Sequence, residues 1–299
     1  MLFWQHGPPT AAAVLILIGG CNSSPPVFDG NRAMVDLRAQ CDFGPRVPGT
    51  PAHDRCRAFL VDRLRTLADT VIEQRFTASA SAPAGQAAMT NIIARFGIGG
   101  KRRLVCAHWD SRPMADRDPN PEARILPIIG ANDGASGVAV LLELARLLSL
   151  KRPPVPVELV LFDGEDSGVE GRLDQYLLGS RYYSRHIDAQ DYEFAILLDM
   201  VGDADLNVGP EIYSARYAPE LVERVWSAAE RLGITEFNRL AKYEIYDDHI
   251  PLLERGVTTV DVIDFDYPPW HTLGDTPDKC SAASLEKVGR VIAAVLYGK

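Results

Sequence analysis

The runs LVCA (104–107), LVLF (159–162) and FAILL (194–198) are apolar at consecutive positions. A strand with one wet face alternates apolar and polar residues, so strands of this kind need cover on both faces. They sit inside longer strand-like stretches, RRLVCAHWD, VELVLFD and FAILLDMVG, accompanied by TVIEQRFTA, TNIIARF and TTVDVIDFD. Helical periodicity interleaves them at 31–44, 50–70, 135–150, 218–233 and 281–298. Thr50 before Pro51, and Ser281 before the last helix, are helix-start signals. The alternation predicts one α/β domain over 31–299, with a mixed, mostly parallel central sheet and helices on both faces. At 299 residues and 46% hydrophobic, the chain can bury a full core.

The first residues obey different rules. AAAVLILIGGC (11–21) is too short an apolar run for a spanning helix and reads as a signal-peptide core over 1–20. Its small residues stop at Cys21, a pattern similar to the lipid-attachment box of bacterial lipoproteins, with 21–30 as a tether. The expectation is export, with a membrane connection only through lipid on Cys21. In an oxidising compartment Cys41, Cys56, Cys106 and Cys280 allow three pairings. Cys41 with Cys56 would close a short loop between two helices, leaving Cys106 with Cys280. The formal charge of −9 and the absence of a basic stripe argue against a nucleic-acid partner.

In open α/β sheets, ligands bind beyond the carboxyl ends of the strands. The residues just past each apolar run are therefore informative. RRLVCA runs into His108 and Asp110, LPIIGAN into Asp133, and VELVLF into Asp163, Glu165 and Asp166; FAILL ends at Asp199 and VIDFDYPPW at His271. An Asp after any one strand is more often a turn or helix cap than a ligand. Acid or imidazole at five such ends together points to a dication. Imidazole and carboxylate without thiolate suit a catalytic zinc with an open position. HExxH is absent, which excludes the helical zinc-protease arrangement.

The motifs AHWDSRP (107–113), GANDGASGVAVLLELAR (130–146), FDGEDSG (162–168), LGSRYY (178–183), LLDMVGD (197–203), DDHIPLLERGV (247–257) and YPPWHT (267–272) stand in this order. Together with FGPRVPGT (43–50) they resemble the zinc-dependent glutaminyl cyclases, which share a fold with the zinc aminopeptidases. The resemblance implies cyclisation of N-terminal glutamine in peptides to pyroglutamate, with release of ammonia. It implies one Zn2+ held by Asp133, Asp166 and His271, Glu165 as proton carrier, Asp199 and Asp247 as a hydrogen-bonded pair, and Trp270 in the pocket wall. Three positions depart from the animal enzymes. Asp166 is a methylene shorter than their Glu, Asp261 replaces a pocket His as the substrate-facing residue, and a tryptophan is missing where GVEGR stands, so that Tyr176 is the candidate replacement wall.

A dinuclear zinc aminopeptidase is the nearest alternative, since His108, Asp133, Asp166, Asp199 and His271 supply all the ligand types for two ions. A non-catalytic, lipid-anchored binding protein is the third reading, and the presence of Glu165 argues against it. Asp163 is expected to be structural and His249 to act behind the site or at a helix start. His53 and His186 are expected to be solvated and Trp109 and Trp226 to be packing residues. Arg46 is expected to pair with a buried carboxylate.

Overall fold

The structure, a computed structural model, describes residues 26–79 and 85–298 together with Met1 and Phe3. Apart from Met1 and Phe3, the expected signal segment lies outside the described residues, as does Cys21.

Six strands form one sheet: β1 Thr70–Ser79, β2 Gln86–Phe96, β3 Arg102–His108, β4 Val157–Phe162, β5 Tyr192–Asp199 and β6 Thr259–Ile263, in the order β1-β2-β4-β3-β5-β6. β1 and β2 pair antiparallel, as do β2 and β4, whereas β4, β3, β5 and β6 run parallel. The parallel strands are those whose apolar runs lack alternation, and each of their buried faces meets helices.

One face carries α1 Gly30–Cys41, α2 Pro51–Arg65, α3 Ala135–Leu150, α6 Pro219–Arg231 and α8 Ala282–Tyr297 over the larger apolar core. The other face is covered by α4 Leu178–Ser184 and α7 His249–Arg255 over a smaller core. α5 Ile212–Tyr217 packs on β6. The helix starts match the sequence signals: the Thr50 hydroxyl accepts from His53 N–H, and Ser281 accepts from Ser284 N–H. α3 differs from the amphipathic helices. Nearly all its side chains are buried, because it lies between the sheet and α1 and α8. The short helices α4, α5 and α7, each six or seven residues, have too few turns to show periodicity in sequence.

The expected disulfides are corrected by the fold. Cys106 points into the smaller core and Cys280 into the larger one, so the sheet itself stands between them. All four described cysteines are free thiols packed as small apolar side chains. Burial pushes the Cys41 thiol up to about 11 and that of Cys56 to about 12.

Candidate active site

The parallel strands point their carboxyl ends at one cleft of about 260 Å3, lined by Asp133, Glu165, Asp166, Asp199, Asp247, Trp270 and His271. The rest of its wall includes Tyr176, Tyr243, Tyr246, Ile263 and Phe265. His108 closes β3, the Asp163–Gly168 loop comes after β4, Asp199 closes β5, and Asp133 sits just before α3. Gly134 opens α3 at φ +98°, and an added Cβ there would stand 2.6 Å from the Asp110 carbonyl and 3.0 Å from the His108 ring. Only glycine lets Asp133 and His108 come together in this way.

Asp133 is shared between two groups of ligand-type atoms. Its Oδ1 is 3.2 Å from His108 Nε2, which is 3.2 Å from Asp199 Oδ1. Its Oδ2 is 3.6 Å from His271 Nε2, which is 3.5 Å from Asp166 Oδ1. Tetrahedral bonds of about 2.1 Å hold ligand atoms about 3.4 Å apart, so both spacings suit a divalent cation. The donor set is nitrogen and oxygen only, and buried Asp166 Oδ2 has no hydrogen-bond partner among the described residues. These groups fit a metal.

Electrostatics agree. Burial, and next the Asp166 charge, push the Asp133 carboxyl up to about 7. The same two causes push Glu165 well above the usual carboxylate range. Burial would raise Asp166 too, but Arg112 and His271 outweigh it and hold its carboxyl low. Burial would lower the His271 imidazole, yet Asp166 and Asp116 bring it up to about 9. Like charges so close need a cation or shared protons. Backbone strain also gathers here: Met200, directly after Asp199, has φ 47° and His271 has φ 56°.

The residues behind the cleft explain its shape. Asp110 accepts from the backbone N–H groups of Glu165 (3.1 Å) and Asp166 (3.2 Å), fixing the acidic loop. Asp275 accepts from the N–H groups of Asn132 and Asp133, and from Tyr267 OH. Trp270 stacks on His271 with ring centroids 3.9 Å apart. The Tyr176 ring rests on Gly168, where an added Cβ would fall 2.1 Å from it, so Tyr176 does supply an aromatic wall. The fully buried guanidinium of Arg112 bridges Asp166, Asp116 and Tyr176. Its motif, AHWDSRP, was visible in sequence; its contacts depend on three loops meeting and were not.

Several expectations are corrected. Asp261 does not line the cleft: it is fully buried behind it, with Oδ2 3.7 Å from His249 Nδ1 and neither oxygen hydrogen-bonded among the described residues. It sits two residues before the end of β6, beneath the cleft, with an oxygen within 4.8 Å of one on Asp247. Asp199 and Asp247 share the cleft wall, but among the described residues Asp199 bonds to His108 and Asp247 Oδ1 accepts from Asp248 N–H. His53 is not solvated. It is buried, stacks on Trp109 at 4.2 Å and bonds Asp163 at 2.9 Å, an interaction that makes Asp163 structural. Arg46 binds carbonyls rather than a carboxylate, those of Trp109, Ile129 and Gly130. Trp109 and Trp226 are fully buried packing residues, His186 is exposed, and His249 opens α7.

Residues 91–296 match the family model described as peptidase family M28. The chain belongs to that family. Within it, the chain is 28% identical over 284 residues to the glutaminyl-peptide cyclotransferase of Bos taurus, covering 83% of this chain and 76% of the relative. The solved glutaminyl cyclase of Tannerella forsythia superposes with a TM-score of 0.87 at 36% identity, over 92% of this chain and all of that one. A leucine aminopeptidase precursor from Bacteroides thetaiotaomicron superposes with a TM-score of 0.88 at 35% identity, over 92% of this chain and 99% of that one. The M28 match spans every cleft residue named above.

Proposed function

We propose that this chain is a glutaminyl-peptide cyclotransferase, closing N-terminal glutamine of peptides to pyroglutamate and releasing ammonia. The observation that carries the reading is the cleft itself: Glu165 stands beside Asp133, Asp166 and His271 under an aromatic rim, in a chain that is like glutaminyl cyclases over most of its length. Glu165 accepts a proton from the α-amine as it attacks the γ-carbonyl and delivers one to the departing nitrogen. Its raised affinity for a proton, set by burial and Asp166, suits a group that must both take and give. Asp199 and Asp247, on the same wall, orient the amine, and Trp270 and Tyr176 hold the glutamine chain in near-attack geometry while limiting water. A zinc ion at Asp133, Asp166 and His271 would supply Lewis-acid polarisation of the γ-carbonyl. We also assign the chain to the exported proteins, anchored by lipid on Cys21.

The second group, His108 with Asp133 and Asp199, favours one alternative: a dinuclear aminopeptidase in which Glu165 activates a water. The test is incubation of the purified protein with a Gln-initiated dipeptide, with and without a chelator, alongside metal analysis. Ammonia, a cyclised product and one zinc support the cyclase. A free amino acid and two zincs support the peptidase, and neither product would refute both.

A further inference from the structure

We infer that Arg112 is the positioning residue that allows the short Asp166 to serve in the metal centre. The inference rests on the reading that Asp133, Asp166 and His271 hold the metal. Arg112 is 1% exposed, and its donors are spread over separate loops. Nη1 donates to Asp166 Oδ1 at 2.8 Å and to the Asp166 carbonyl at 3.4 Å. Nε and Nη2 grip Asp116 at 3.0 and 2.7 Å, and Nη2 also donates to Tyr176 OH at 3.0 Å. Asp116 in turn lies 3.3 Å from His271 Nδ1, while the other ring nitrogen of His271 faces Asp133 and Asp166.

One guanidinium therefore orients two of the three ligands, Asp166 directly and His271 through Asp116, and ties both to the cleft wall at Tyr176. A longer Glu could reach the centre with slack in its loop; an Asp needs the loop drawn in and its carboxylate turned. Arg112 holds both the side chain and the backbone carbonyl of Asp166. A cation beside a dication is repulsive, but Arg112 is paired with Asp116, and the two charges largely cancel. Orientation is left as the larger effect. Lysine could keep the charge but not the fork, because its three donors sit on one nitrogen and cannot take the places of Nε, Nη1 and Nη2.

The test measures Zn2+ affinity of the metal-free full chain by chelator competition for the native protein, Arg112→Lys, Arg112→Met and Asp116→Asn. The expectation is zinc binding weakened about 10–100-fold in both Arg112 variants, as for other residues that orient metal ligands, and by less in Asp116→Asn. A purely structural role would lower the melting temperature of the metal-free protein and leave zinc affinity unchanged. If Arg112→Met does not fold, Arg112→Lys and Asp116→Asn decide the matter. Native affinity in Arg112→Lys would overturn the proposal by showing that charge alone suffices, and so would tighter binding in any variant. A native protein that binds no zinc would overturn it with the metal site. Zinc affinity is independent of the reaction, so failure of the cyclase reading would show up separately, in the dipeptide assay of the native protein.

Discussion

Strand β4 carries buried acid at both ends and treats the two very differently. At its start, Glu158 is fully buried, yet both oxygens are used: Oε2 accepts from Arg95 Nε at 2.6 Å, and Oε1 accepts from Tyr192 OH at 2.8 Å and from Tyr183 OH. Beyond its end, past the fully bonded Asp163, Asp166 Oδ2 has no hydrogen-bond partner among the described residues, nor do Asp247 Oδ2, just before α7, and either oxygen of nearby Asp261. A buried polar group left unpaired costs about 1–3 kcal/mol, so a fold keeps such groups only where something else answers them. The satisfied end therefore holds the sheet together. The unsatisfied end keeps charge that a cation or a shared proton would answer.

The sharpest way to break this comparison is to neutralise one acid at each end. Glu165→Gln should keep the fold and bound zinc, and lose about a hundredfold to ten-thousandfold in kcat, the usual range for a positioned acid–base group. Turnover assay with metal analysis checks it, and near-native kcat would remove Glu165 from the chemistry. Glu158→Gln should do the reverse. It weakens the Arg95 and tyrosine bonds and should cost about 1–3 kcal/mol of stability, as for hydrogen bonds to charged groups. Denaturant unfolding measures the loss, and kcat should stay native. A fall in kcat without a fall in stability would mean that the two ends are not separable.

Much of this contrast was legible in the sequence. The apolar runs without alternation gave the parallel strands, and the acids and histidines after them gave the cleft, because a strand delivers the residue after its end to a predictable edge. Glu165, Asp166 and Asp199 follow that rule; LPIIGAN, before Asp133, forms no strand, and His271 lies eight residues past β6, so their arrival in the cleft depends on loops. Residues that act across the sequence were not legible: Arg112 touches Asp166 and Tyr176 from 54 and 64 positions away. Asp261 was misread for a related reason. It sits in the middle of β6 on the same face as Ile263, which does line the cleft; its depth below the strand end, and not the way its side chain faces, keeps it out. His53 looked solvated among the polar residues of α2, but its helical face packs on Trp109 and Asp163.

The smallest expected effect is on pH dependence, and it separates the two ends without mutation. In the metal-free protein burial raises Asp133 and Asp248 to about 7 and pushes Glu165, Asp247 and Asp261 well above the usual carboxylate range. A carboxyl with a raised folded pKa binds its proton more tightly in the fold than in the unfolded chain. Its contribution is complete below the unfolded value near 4 and is lost as pH rises through the folded value. The metal-free protein should therefore melt lower at pH 8 than at pH 5.5, by at least the ~2–4 °C that about 1 kcal/mol produces in a large domain. Burial raises the Glu158 partners Tyr183 and Tyr192 above the ordinary tyrosine value, so they do not titrate in this window. Zinc should flatten the slope, because a dication answers the charges that protons answer in its absence. Thermal melts at the two pH values, in chelator and in zinc, make the measurement. A metal-free protein equally stable at both would show that the acids at the cleft are already paired, and the two ends of β4 would no longer differ in kind.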